Sequence, residues 1–122
     1  MNIEEFRNFC MAKAGVTEGF PFDETVLVFK VMNKMFALTG VDTFESANLK
    51  CDPDRAEELR EKYAGIKPGY HMSKKHWNTV MMDGSVSDQL IYELIDHSYD
   101  LVVEGLPKKL KVELELLKTQ NI

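Results

Sequence analysis

Residues 65–82 read GIKPGYHMSKKHWNTVMM. The stretch holds Lys67, Lys74 and Lys75, the single tryptophan, two of the three histidines and no acid. Its ends have the character of strands and its centre is polar, which predicts a β-hairpin. The first arm is expected at Tyr70–Met72 and the second at His76–Met82, with Lys74 and Lys75 at the tip. In the second arm Trp77, Thr79 and Met81 share one face, while His76, Asn78 and Val80 share the other. Asp83-Gly84 ends that arm.

The rest of the chain supplies helices and further strands around this hairpin. On the N-terminal side, Asn2 with Glu5 makes a capping box for a helix over Ile3–Ala14, which Gly15 stops. Gly19–Phe22 reads as a short extended piece, because Pro21 excludes a central strand position. Val26–Val31 and Met35–Thr39 read as two strands around Met32-Asn33-Lys34, where Asn33 tolerates the positive φ of a tight turn. A third strand is expected at Ser46–Lys50. Asp52 as N-cap and Pro53 at the first helical position open a helix to Tyr63, with Ala56, Leu59 and Tyr63 inward. On the C-terminal side, Ser85 with Asp88 is the expected cap of a long helix over Val86–Glu104. Its inner stripe is Leu90, Ile91, Leu94, Ile95, Ser98, Leu101 and Val102. Gly105 ends it, and Pro107 opens a last helix through Leu110, Leu114 and Leu117. Strands grouped between helices predict an α+β fold with an antiparallel sheet.

The chain of 122 residues fits one domain, and folding at this length buries roughly two-thirds of the unfolded surface without help from a metal or disulfide. No apolar run approaches the ~20 residues of a membrane span. The N-terminus carries acids where a signal peptide needs bases, so a cytoplasmic location is expected. Cys10 and Cys51 form no CxxC pair and read as small buried hydrophobes. The net charge is −5, which argues against a general nucleic-acid binder. Yet within residues 65–105 every base precedes Asp83 and every acid lies at or after it. A positive hairpin is followed by an acidic helix.

GYHMSKKHWNTV, within the opening stretch, closely resembles the signature of the MmcQ/YjbR family. Val28–Val31, Lys34–Ala37, Asn48–Cys51, Ser98–Val103 and Gly105–Lys108 match in the same order. The resemblance implies a CyaY-like α+β sandwich with two β-hairpin wings in a proposed DNA-binding arrangement, here at Phe29–Phe36 and Tyr70–Asn78. Met32-Asn33 departs from the glycines that relatives often have at that turn. No catalytic residue comes with the resemblance.

The expected function is therefore non-enzymatic, weak and salt-sensitive binding of duplex DNA. Lys74 and Lys75 are the first candidates for phosphate contacts, with Lys30, Lys34 and Lys50 on the neighbouring wing and His76 beside the tip. The plainer role for such lysines is to keep a hairpin soluble and stop edge pairing. Alternation puts Lys30 on the face opposite Phe29 and Val31, the open face of the sheet. Trp77 is expected to pack rather than stack on a base. His71 and His76 match no zinc spacing, so neither metal nor cofactor is expected. Asp88, Glu93, Asp96, Asp100 and Glu104 read as the solvated face of the long helix. By analogy with the acidic ridge of frataxin they are also a metal-binding alternative. A protein-interaction or regulatory adaptor is the other alternative. No GxSxG, HExxH, phosphate-binding loop or dinucleotide fingerprint is present.

Overall fold

The computed structural model describes residues 1–120. Four helices and six strands follow in the order α1 (Ile3–Met11), β1 (Val16–Gly19), β2 (Val26–Val31), β3 (Lys34–Gly40), β4 (Ser46–Lys50), α2 (Pro53–Lys62), β5 (Ile66–Pro68), β6 (Trp77–Met81), α3 (Asp88–Glu104) and α4 (Lys108–Gln120). The strands form one antiparallel sheet in the order β1-β2-β3-β4-β6-β5. All four helices pack on one face. Phe6 and Cys10 of α1, Ala56 and Leu59 of α2, Ile91, Leu94 and Ile95 of α3 and Leu114 of α4 join Leu27, Phe29, Val31, Ala47, Leu49 and Val80 in one core. This is the α+β architecture expected from the sequence.

Local signals explain the elements that match. The Asn2–Glu5 capping box forms in both directions, at 2.8 and 3.1 Å. Asp52 accepts the Arg55 amide at the start of α2, with Pro53 at the first helical position. Met32 and Asn33 make the two-residue turn between β2 and β3 with φ of +48° and +69°, as a primed hairpin turn requires. Both cysteines are buried.

Other boundaries move, each for a physical reason. α1 stops at Met11 rather than Ala14, because Gly15 (φ +74°) turns the chain into β1, whose Val16–Gly19 pairs with Val31–Val28. The extended piece thus begins before Gly19 and ends ahead of Pro21. Ser85 does not cap α3. Its amide and hydroxyl both turn to Asp83 Oδ1, and Ser87 caps the helix by accepting the Leu90 amide. Leu101 is half-buried and Leu117 exposed, so Leu114 alone anchors α4 fully. The largest change concerns the hairpin. Its first arm is β5 at Ile66–Pro68, and Tyr70–Met72 is not a strand. Proline ends the pairing, since it brings no N–H to the ladder, and His71 takes a φ of +58° that breaks the extended path. Residues 69–76 form a loop between β5 and β6, so the second wing is not the projecting hairpin expected at Tyr70–Asn78.

A bulge links sheet and helix. Phe29 opposes Ala37 and Lys30 opposes Met35, leaving Phe36 as an extra residue. The next rung to β4 is supplied by α3. The buried Ser98 hydroxyl accepts the Lys50 amide at 2.9 Å and donates to the Phe36 carbonyl at 2.5 Å. Ser98→Ala leaves both backbone groups without a partner and is expected to cost about 1–3 kcal/mol in urea unfolding. A loss no larger than that of an ordinary surface substitution would mean that the bulge is satisfied some other way.

His97, on the same helix, accepts the Asp52 amide through Nε2 at 3.1 Å. Burial first, then the charge of Arg55, hold its pKa below the ordinary 6.5 against the carboxylates of Asp52, Asp100 and Glu104. Above pH 6.5 the imidazole is neutral in both the folded and unfolded states. As pH falls below that value, the unfolded chain takes up a proton that the folded chain resists, so stability falls. Urea midpoints measured at neutral pH and at about pH 5.5 should therefore drop less in His97→Gln than in the parent. Equal drops would remove His97 from the account.

Candidate nucleic-acid interface

With the helices on one side, strand alternation leaves the other side of the sheet open. The register places Val26, Val28 and Lys30 of β2, Met35 and Leu38 of β3, Ser46, Asn48 and Lys50 of β4, Trp77 and Thr79 of β6 and Lys67 of β5 on that face. Val28, Leu38 and Trp77 are buried there in a second, smaller apolar cluster with Val26, Met35 and Met72. Trp77 is 8% exposed, and His76, the last residue of the loop before β6, is exposed. The tryptophan therefore packs, but on the outer face of the sheet and apart from the main core.

Met72 reaches this cluster because the loop 69–76 folds down onto the sheet. The Tyr70 amide donates to Thr79 Oγ1 at 2.9 Å, Thr79 Oγ1 donates to Asn48 Oδ1 at 2.5 Å, and Asn48 Nδ2 donates to the Tyr70 carbonyl at 3.2 Å. The three groups close a ring of hydrogen bonds. Gly69 permits the approach: a Cβ there would stand 2.8 Å from Trp77 Cβ and 2.9 Å from the Trp77 carbonyl oxygen. At the far end Arg60 of α2 donates to Asn78 Oδ1 at 2.7 Å and to the Lys74 carbonyl.

The pinned loop makes one wall of a cleft of about 450 Å³. Val26, Leu38 and Gly40 line the cleft from the sheet, Tyr70, His71 and Met72 from the loop, and Phe22 from the segment before β2. Ser46 and Asn48 add polar groups. Phe20, Phe22 and Tyr70 are 51%, 63% and 69% exposed, unusual for large aromatic side chains, and the Tyr70 ring lies 4.0 Å from that of His71, centroid to centroid.

The charge of the molecule is divided by layer. The six strands carry four lysines (Lys30, Lys34, Lys50 and Lys67) against one glutamate, Glu18. Glu18 pairs with Arg7 of α1 at 2.8 Å. α3 on the covered side carries five carboxylates and no Lys or Arg. An acidic chain thus has a sheet whose charge is positive.

The lysines expected to act together fall into separate groups. Lys34 and Lys50 line one depression of about 220 Å³ with Met35, Trp77 and the end of α3. Lys30 lies across from Met35 on the same face. Lys74 and Lys75 line a different depression, beside Asp54, Glu57 and Arg60 of α2. The Lys74 ammonium turns back to the Gly69 carbonyl at 3.3 Å. In the acidic row of α3, Asp88 pairs with the N-terminal amine and Asp96 with Lys13. Among the described residues no group of three or more His, Cys, Asp or Glu side chains converges. Burial pushes the Cys10 thiol up to about 12 and the Cys51 thiol to about 11, so neither is a thiolate nucleophile near neutral pH. No helix among the described residues is long and apolar enough to cross a membrane.

Three residues of the face were not singled out from the sequence. Lys67 carries the signal of alternation, between Ile66 and Pro68. Phe22 and Tyr70 carry only that of large aromatics beside Pro21 and Gly69. Neither signal says that they meet across one cleft.

The YjbR family profile matches residues 11–101. The chain belongs to the YjbR family. It is similar to the Escherichia coli K12 protein YjbR, described as uncharacterized, at 38% identity over 118 residues, covering 93% of this chain and all of that protein. The uncharacterized YbdF of Escherichia coli O157:H7 is 41% identical over 91 residues, 74% of this chain and 75% of its own. Among solved YjbR-like structures, the crystal structure of Deinococcus radiodurans DR2400 superposes with a TM-score of 0.86 at 42% identity, covering 93% of this chain and 88% of that one.

If the hydrogen-bond ring holds the loop, Thr79→Val should release the Tyr70 amide to exchange while the β4–β6 ladder stays protected. Hydrogen exchange followed by NMR checks this. Unchanged protection at Tyr70 would mean that other contacts seat the loop.

Proposed function

We propose that this YjbR-family protein is a non-enzymatic DNA-binding protein that grips phosphates with the open face of its sheet. The single observation behind the reading is the partition of charge: the strand-borne lysines, with the one acid of the described strands paired with Arg7, in a chain of net charge −5. A helix-covered acidic side opposite a lysine-bearing face orients the molecule toward a polyanion. The geometry favours Lys30 and Lys50 over Lys74 and Lys75, because the latter two lie beside Asp54 and Glu57. The overall negative charge holds affinity down and makes binding weak. The protonated, buried thiols and the absence of a catalytic motif support the non-enzymatic reading. A protein-interaction surface is a second reading, favoured by the exposed rings of Phe20, Phe22 and Tyr70.

Fluorescence anisotropy of labelled DNA, offered both as duplex and as single strand at low salt, tests the proposal. With ~3–5 phosphates contacted, log affinity for duplex should fall with log salt at a slope of about −3 to −4. Lys30→Ala/Lys50→Ala should flatten that slope by about 2. Binding of neither form at micromolar protein, or an unchanged slope in the double variant, would sink the proposal and leave the protein-interaction reading.

A further inference from the structure

We infer that the cleft between Phe22 and Tyr70 receives one unstacked base of a single-stranded nucleic acid. The inference rests on the DNA-binding reading and narrows it from any polyanion to a strand with accessible bases. Three observations converge on it.

The first is shape and surface. A cleft of about 450 Å³ falls within the range of ligand-sized sites. Its sheet side is apolar, from Val26 and Leu38, and its walls are Met72 and the two aromatic residues. Those rings are 63% and 69% exposed; the Tyr70 ring lies 4.0 Å from the His71 ring, centroid to centroid, and its remaining surface, with the Phe22 ring, is open to a flat partner. Every base has a π-face, and stacking on aromatic side chains is a sequence-tolerant way to hold one. A base inside a duplex is covered by its neighbours and cannot enter such a cleft until it leaves the stack.

The second is the neighbouring charge. Lys50 follows the cleft residue Asn48 by two residues on β4, about 7 Å along the strand, and Lys30 follows the cleft residue Val26 by four residues on β2, about 13 Å along its strand. Lys67 lies across from Thr79 on the same face. An apolar peptide side chain would fill the cleft equally well, but three lysines on the same face of the sheet select a ligand that carries anions next to its rings. A nucleic-acid strand does so at every residue.

The third is the state of the polar groups. The Asn48 amide is engaged at both ends, by Thr79 and by the Tyr70 carbonyl. It is a fixed part of the wall rather than a free reader of base edges. The rings hold a base by its face, and the polar side chains left at the cleft to meet its edge are those of Ser46 and His71.

The test compares a labelled single-stranded deoxythymidine oligonucleotide with a labelled duplex by anisotropy, for the full chain and for Phe22→Ala, Tyr70→Ala and Tyr70→Phe. The parent should bind the single strand more tightly than the duplex. Each alanine variant should lose between about 5-fold and 150-fold on the single strand, with its duplex affinity and salt slope unchanged. Tyr70→Phe keeps the ring and should bind like the parent. Because both rings are exposed, urea midpoints should match the parent, which separates lost stacking from lost folding. Duplex bound as tightly as single strand, or alanine variants that bind single strand like the parent, overturns the inference and leaves the DNA-binding reading standing. Binding of neither form overturns both.

Discussion

In an antiparallel sheet successive side chains point to opposite faces, and here all four helices cover only one of them. Everything proposed about the molecule follows from that asymmetry. The covered face gathers the main core, from Phe6 at one end of the chain to Leu114 at the other. The second face has no helix to meet. It is partly closed by its own residues, as Met72 packs on Val28, Leu38 and Trp77. What is left is a surface with lysines and aromatic rings.

Two polar devices hold this arrangement, one on each face. On the covered side, the Ser98 hydroxyl stands in for a missing rung of the ladder at the Phe36 bulge. On the open side, Thr79 and Asn48 bind the backbone of Tyr70 at both its amide and its carbonyl. Buried polar groups are expensive unless paired, so each device fixes one arrangement of the chain rather than several. The second matters for function, because it sets where Tyr70 stands in the cleft. Arg60, which a charge count assigns to the basic residues, is committed to Asn78 and to the backbone of the loop.

What was legible in the sequence was local. The Asn2–Glu5 box, the Asp52-Pro53 start and the alternation of Ser46–Lys50 each involve residues within a few positions of one another, and each matches the structure. Alternation also gave the facing of Lys30 and the sharing of one face by Trp77 and Thr79, but the helices cover the opposite face, that of Val80. What was not legible depends on distant partners. β5 is three residues long and is a strand only because β6 pairs with it. Tyr70–Met72 has the composition of a strand, but Pro68, the turn at His71 and the pull of Thr79 make it a loop. Ser85 and Ser87 are equivalent as capping residues until Asp83 engages the first of them. The cleft is the extreme case, since Phe22 and Tyr70 come to line one cleft only after the sheet has formed. The partition of charge lay in between: the acidic row of α3 was visible, but the positive sheet required knowing which residues are strands.

The central claim is that the open face is the binding face. Titration of isotopically labelled protein with single-stranded DNA, followed by amide chemical shifts, tests it most directly. The account predicts shifts that cluster at Phe22, Lys30, Lys50, Tyr70 and Thr79, with the acidic row from Asp88 to Glu104 unmoved. Shifts confined to the helices, or no shifts at all, would contradict it.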